Sequence, residues 1–303
     1  YRSNAASIFV EEGTDLTLLG NTVHDSGNGI FTAASSANIR ILRNHIFDNG
    51  IEGSIYEHNT YTESQGILYE GNHLEGLRPG CGGNNLKDRS TGLVVRYNWI
   101  EDGNRQLDLV DTDHSELRDD ARYNDTYVYG NVLVEGEGEG NSQMVHYGGD
   151  SGDTSWYRKG TLHFFHNTVV STRSGNTTLV RLSSDGEAAD VFNNIIHASG
   201  TMGILDEDGT LDLADNWLDS NWRDSHSGGS VNDGGNLEGS DPGFTDAGAQ
   251  DFSLSASSTC RDQAIALPSS LASHPIDEEY EPHQAVVTRP DDGSPDLGAL
   301  EGI

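Results

Sequence analysis

The chain has 303 residues, 49 Asp plus Glu against 17 Lys plus Arg, and a formal net charge of -32. That length fits one large or two small domains and is ample for a sizeable core. So acidic a surface excludes nucleic acid and anionic membranes as partners, because both attract patches of Lys and Arg.

Only Lys87 and Lys159 are lysines; the other basic residues are arginines. An acid-rich, lysine-poor composition fits a salt-adapted surface, whose self-repulsion is screened at high ionic strength. No apolar run approaches the length of a membrane span. Cys81 and Cys260 fit one long-range bridge or two free thiols.

In chain order, two apolar residues, a short spacer, Asn, any residue and another apolar residue recur. The pattern reads LLGNTV at Asn21, ILRNHI at Asn44, ILYEGNHL at Asn72 and VVRYNWI at Asn98. It continues as YVYGNVL at Asn131, HFFHNTV at Asn167, DVFNNII at Asn194 and LADNWL at Asn216. Successive Asn lie 23, 28, 26, 33, 36, 27 and 22 residues apart, a unit near the shortest step with insertions in the middle. Within each unit β-branched and aromatic residues alternate between Gly, Asn, Asp and Ser, which predicts short strands and tight turns. Stacked units of this kind predict an all-β fold, a right-handed parallel β-helix over residues 1–220. The repeated Asn fits a polar ladder at a turn, where its side chain tolerates αL geometry and hydrogen-bonds neighbouring backbone.

Beyond Asn216 the pattern fails, and residues 221–303 are expected to form a C-terminal cap on the last coils. The stretch from Asp241 to Ala264 and the PDLGALE run from Pro295 to Glu301 resemble the ending of secreted β-helix proteins. Such an ending covers a last coil whose edge would otherwise recruit other chains.

A second strand can be aligned coil by coil. Ile30, Ile55, Leu86, Leu107, Met144, Leu179 and Ile204 then form an inward column, followed outward by Phe31, Tyr56, Lys87, Asp108, Val145, Val180 and Leu205. The outward column is charged only at Lys87 and Asp108, which lie 21 residues apart, about one coil. Arg89, His58, Tyr147 and Arg105 are expected to flank them, with His146 and Asp88 inward or at a corner. His45, His163, His166 and His197 read as surface or packing residues, and Lys159 lies in a Trp-Tyr-Arg-Lys loop.

The run from Cys81 to Asp111, CGGNNLKDRSTGLVVRYNWIEDGNRQLDLVD, with HYGG at His146, resembles the central coils of right-handed β-helix polysaccharide lyases. In the alginate lyase and chondroitinase B type, a Lys in a Lys-Ser motif is the base, an Arg about one coil later assists, and Ca²⁺ neutralises the substrate carboxylate. The resemblance makes Lys87 the base. One coil later stands Asp108 and not Arg, and Asp88 replaces the Ser, so Arg89 or Arg105 takes the arginine's part. It also implies an extracellular, monomeric enzyme acting on an acidic glycan such as alginate or pectate.

β-Elimination from a uronate needs a base for the proton α to the carboxylate, positive charge for the enolate-like anion, and an acid for the leaving oxygen. Lys87 supplies the base, Arg89 or Arg105 the charge, and Tyr147 or His146 the acid, with Tyr56, His58 and Asp108 lining the substrate. An ammonium beside Asp108 in so acidic a chain is a weak base. In a variant of the scheme, Lys87 therefore neutralises the carboxylate while His146 or Tyr147 handles the proton. Asp108 and Asp111, with Asp113 and the DEDG run at Asp206, offer hard oxygen ligands to Ca²⁺. Two other classes stay open: a glycoside hydrolase using Asp108 and Asp111, whose known β-helix motifs are absent, and a non-catalytic glycan-binding or adhesive β-helix.

Overall fold

A computed structural model describes residues 5–138 and 140–302. Three nine-stranded sheets run the length of the molecule, every pairing within them parallel, and each coil contributes one strand to each sheet in turn. The described residues form a parallel β-helix of nine coils. The first sheet carries Asn28–Thr32, Thr60–Thr62, Leu86–Asp88, Leu107–Leu109, Gln143–Tyr147 and Asn176–Leu182 in coils two to seven.

The core is built from columns of one residue per coil. Ile30, Leu86, Leu107, Val145, Val180 and Leu205 stack in register inside the first sheet and are wholly buried. They pack against Ile39, Val95, Val128, Leu133 and Val191 from the other two sheets. Burying one such side chain contributes about 1.5–3 kcal/mol, so the repeat stabilises itself rung by rung.

The expected asparagine ladder is present between the second and third sheets. Each side-chain amide donates to the next coil's Asn oxygen at 2.8–3.1 Å from Asn21 through Asn216, and the row continues one rung further to Asn236. The left-handed conformation belongs to the residue before the Asn, not to the Asn itself. Gly20, Arg43, Gly71, Tyr97, Gly130, His166, Asn193, Asp215 and Gly235 all have positive φ. The Asn is thereby free to satisfy buried backbone carbonyls on its own and the preceding coil, as Asn98 does with Arg96 and Tyr69.

Three features depart from the sequence reading. The coils run past residue 220: Arg223–Ser225, Ser230–Gly234 and Leu237–Gly239 form a ninth coil, whose Gly- and Ser-rich strands are mostly exposed and so carry no apolar signature. The segment after it packs on the last coils, with Leu254, Cys260 and Leu297 on Ile195 and Trp217, and also runs along the flank, with Phe252 and Tyr280 on Trp99, Val132, Val134 and Val170, and Leu271 on Tyr97, Tyr129, Phe165 and Phe192. The aligned strand also shifts register. Thr60 and Tyr61 take the places given to Ile55 and Tyr56, and Val145, Val180 and Leu205 point inward in the column. Ile55 and Tyr56 sit exposed in an inserted loop. In coils six to eight two adjacent apolar residues are both buried, so alternation alone admits two registers. Cys81 and Cys260 are free thiols.

Candidate functional site

The corrected outward column of the first sheet reads Phe9, Phe31, Tyr61, Lys87, Asp108, His146, Arg181, Asp206. Its first half is an aromatic stack, with ring centroids 4.9 Å apart for Phe9 and Phe31 and 5.2 Å for Phe31 and Tyr61. Its second half is a row of ionisable groups one coil apart. The loops at residues 47–59, 110–124 and 148–159 wall this face into a groove of about 700 Å³.

Lys87 Nζ lies 2.5 Å from Asp108 Oδ2 and 2.7 Å from Asp150 Oδ2. Asp150, on the loop that follows Tyr147, is also gripped by Arg89, whose Nη2 lies 2.8 and 3.0 Å from its two oxygens. Arg89 Nε donates to Tyr61 Oη at 2.8 Å, and Nη1 donates to the Asp111 carbonyl. Burial alone would lower the Arg89 pKa, but Tyr61 and Asp150 outweigh it and hold the guanidinium above its ordinary value. Burial likewise opposes ionisation of Asp150, which Lys87 and Arg89 overcome, so its carboxyl sits below the usual range.

Asp108 is saturated. Oδ2 accepts from Lys87 and, at 2.7 Å, from Asn84 Nδ2; Oδ1 lies 2.7 Å from His146 Nδ1 and 3.9 Å from Arg105 Nη1. Burial would raise its carboxyl, yet Lys87, His146 and Arg105 hold it well below the usual carboxylate value. An ionised Asp108 places the His146 proton on Nδ1 and leaves the lone pair on Nε2. That nitrogen lies 2.7 Å from Ser183 Oγ and 3.0 Å from Arg181 Nη1. Burial is the main cause that holds the His146 pKa below 6.5, against Asp108 and with Arg105 and Arg181. At neutral pH His146 is an uncharged imidazole whose Nε2 lone pair accepts from Arg181 Nη1, a contact that must yield before His146 can act as a general base.

The structure brings Lys87, Arg89, Arg105, Asp108, Asp111, His58, Tyr56 and His146 to one groove. Tyr56 stands exposed at its rim. His58 is buried in the wall, where Nδ1 accepts from Asn84 N, and burial pushes its pKa down to about 3. Tyr147 does not reach the groove. It points into the core, wholly buried, and its hydroxyl donates to the Lys159 carbonyl at 3.1 Å. The one-residue register shift places His146 outward and Tyr147 inward, so of the two only His146 borders the groove. Asp88 also faces inward, accepting from Thr62 and Ser90 beside the buried Arg158.

Tyr61, Asp150, Arg181 and Ser183 were not legible as site residues. Tyr61 was hidden by the inserted loop, and Asp150 lies in an insertion with no counterpart in other coils. Arg181 would have emerged from the correct pairing of Val145 with Val180.

Asp108 and Asp111 do not fit a calcium ion. Asp108 spends its oxygens on Lys87, Asn84, His146 and Arg105, of which the cations Lys87 and Arg105 would repel Ca²⁺, while Asp111 Oδ1 accepts from the Asp150 and Ser151 amides and only its buried Oδ2 lacks a hydrogen-bond partner. Asp206 is occupied by Gln143 and Ser227, and Asp113 groups with Glu63 and His114.

The groove gathers Lys87, Arg89, Arg105 and Arg181 against Asp108, Asp111, Asp113 and Asp150, a formal balance within a chain of net charge -32. An anion meets less repulsion in so balanced a groove than the chain's net charge implies. Neither protein-family models nor curated proteins gave a match to the chain.

Proposed function

We propose that the chain is a polysaccharide lyase that cleaves an acidic, uronate-containing glycan such as alginate or pectate by β-elimination in this groove. The observation that carries the reading is the two-sided grip of Lys87 and Arg89 on the Asp150 carboxylate. A Lys and a forked guanidinium converging on one carboxylate form a ready receptor for a uronate carboxylate once Asp150 yields.

Lys87 enters two ion pairs and is better suited to neutralise charge than to accept a proton. Lys87 and Arg89 bind the substrate carboxylate and stabilise the enolate-like anion. His146 Nε2 takes the proton α to the carboxylate, and Asp108 holds the imidazolium that forms. His146 then passes that proton to the leaving glycosidic oxygen as the carbon–oxygen bond breaks, which leaves an unsaturated uronate and a neutral imidazole. The exposed rim residue Tyr56 offers a flat face to a sugar ring. A glycoside hydrolase would need a protonated carboxyl as acid, a role Asp108 is poorly placed to fill while so strongly ionised.

The test is incubation of the protein with alginate, pectate, chondroitin and neutral glycans. Ultraviolet absorbance of unsaturated products from a polyuronate supports the reading, and new reducing ends without that absorbance replace it with hydrolysis. Turnover of none of them favours a binding module.

A further inference from the structure

On the third sheet, away from the groove, His45 of coil two and His73 of coil three are paired in register, and their rings stack at 5.0 Å. Glu75 follows His73 by two residues. His45 Nε2 lies 2.7 Å from Glu75 Oε1, and His73 Nδ1 lies 3.5 Å from the same oxygen. All three ligand atoms fall within 4.8 Å of one another. The other nitrogen of His73, Nε2, lies 3.0 Å from Glu101 Oε1 on the next coil.

We infer that His45, His73 and Glu75 form a binding site for a divalent transition metal of the zinc type, independent of the groove. Two imidazoles and one carboxylate are the donor set that such a metal prefers, and a hard ion such as Ca²⁺ does not. Glu101 completes it in the manner of a carboxylate–histidine–metal triad: by accepting from His73 Nε2 it leaves Nδ1 as the metal-facing lone pair and raises its basicity.

The frame is rigid. The Glu75 carbonyl accepts from the amides of Asn59 at 2.7 Å and Asn85 at 3.1 Å, Phe47 packs on His45 at 4.3 Å, and the His283 ring lies 5.5 Å from that of His73. The site is also open, with Glu75 and His45 partly exposed, so an ion can enter and keep water as a fourth ligand. Ligands about 2.1 Å from a tetrahedral ion stand about 3.4 Å apart, a spacing that small side-chain rotations reach from the distances here.

Zinc titration of the untagged protein by calorimetry tests this. The expected result is one equivalent of Zn²⁺, loss of that equivalent in His45→Ala/His73→Ala and in Glu75→Gln, and a roughly 10–100-fold weaker affinity in Glu101→Gln. His114→Ala, in the second His-containing cluster with Glu63 and Asp113, should leave it in place. No bound equivalent in the wild type, retention of it by both the double variant and Glu75→Gln, or loss of it in His114→Ala would overturn the assignment. Circular dichroism of each variant separates lost binding from lost fold.

Discussion

His146 Nδ1 lies 2.7 Å from Asp108 Oδ1, one coil apart in the same outward column, so the carboxylate fixes both the orientation and the tautomer of the imidazole. Asp108→Asn should preserve the coil but free the ring to carry its proton on the wrong nitrogen. Turnover should fall by roughly 10²–10⁴-fold with little change in KM, the range expected when a general base loses its alignment. Steady-state kinetics on the cleaved polyuronate checks this, and a turnover number within about twofold of wild type would contradict it.

The acid limb of the pH profile should belong to the same imidazole. Burial, with Arg105 and Arg181, lowers the His146 pKa against the pull of Asp108. The neutral, active form therefore persists below pH 6.5, and kcat/KM should decline only at more acid pH. An acid limb with a midpoint above 6.5 would show a different group or an imidazolium favoured by the site.

Asp150 occupies the Lys87–Arg89 clamp, so it competes with the substrate carboxylate. Asp150→Ala should lower KM for a polyuronate and strengthen inhibition by small carboxylates. A raised KM would mean that Asp150 positions the clamp.

How much of this was legible in the sequence depends on how often a residue's environment repeats. Asn131 and its fellows recur in every coil, so the ladder and the stacked architecture follow from spacing alone. Lys87 and Asp108 stood out because they break an apolar column. Tyr147 was misplaced because Met144 and Val145 are both apolar and both buried, which erases the period of two that separates inward from outward. Asp150 reaches the site from a single-copy loop, and nothing local to its sequence records that contact.

The ladder itself should carry stability. Asn131→Ala removes an amide that bonds Asn167, Tyr129 and Val95 and an oxygen that accepts from Asn98, leaving several buried groups unpaired. At about 1–3 kcal/mol for each orphaned group, unfolding free energy should drop by at least about 2 kcal/mol. Asn232→Ala, which breaks an exposed contact to Asp212, should cost less than about 0.5 kcal/mol. Denaturant titration compares them, and equal losses would refute a special role for the ladder.

Acid should loosen the fold through two buried histidines. Burial pushes the pKa of His58 and of His166 down to about 3, so the unfolded chain, near 6.5, binds protons that the native chain refuses. Their stability contribution is complete above pH 6.5 and declines between 6.5 and about 3, by about 1.4 kcal/mol per pH unit for each histidine. His166→Gln should remove about one proton's worth of that slope in denaturant titrations run from pH 7 to pH 4.5. An unchanged slope would exclude His166 as a source.

The central claim is that this groove eliminates across a uronate with Lys87 and Arg89 as the carboxylate clamp. Its most direct measurement is ultraviolet absorbance during incubation of wild type and Lys87→Ala with the polyuronate panel. The account predicts rising absorbance from unsaturated products with wild type and none with a correctly folded Lys87→Ala. Undiminished product formation by Lys87→Ala, or polyuronate cleavage by wild type without that absorbance, would contradict it.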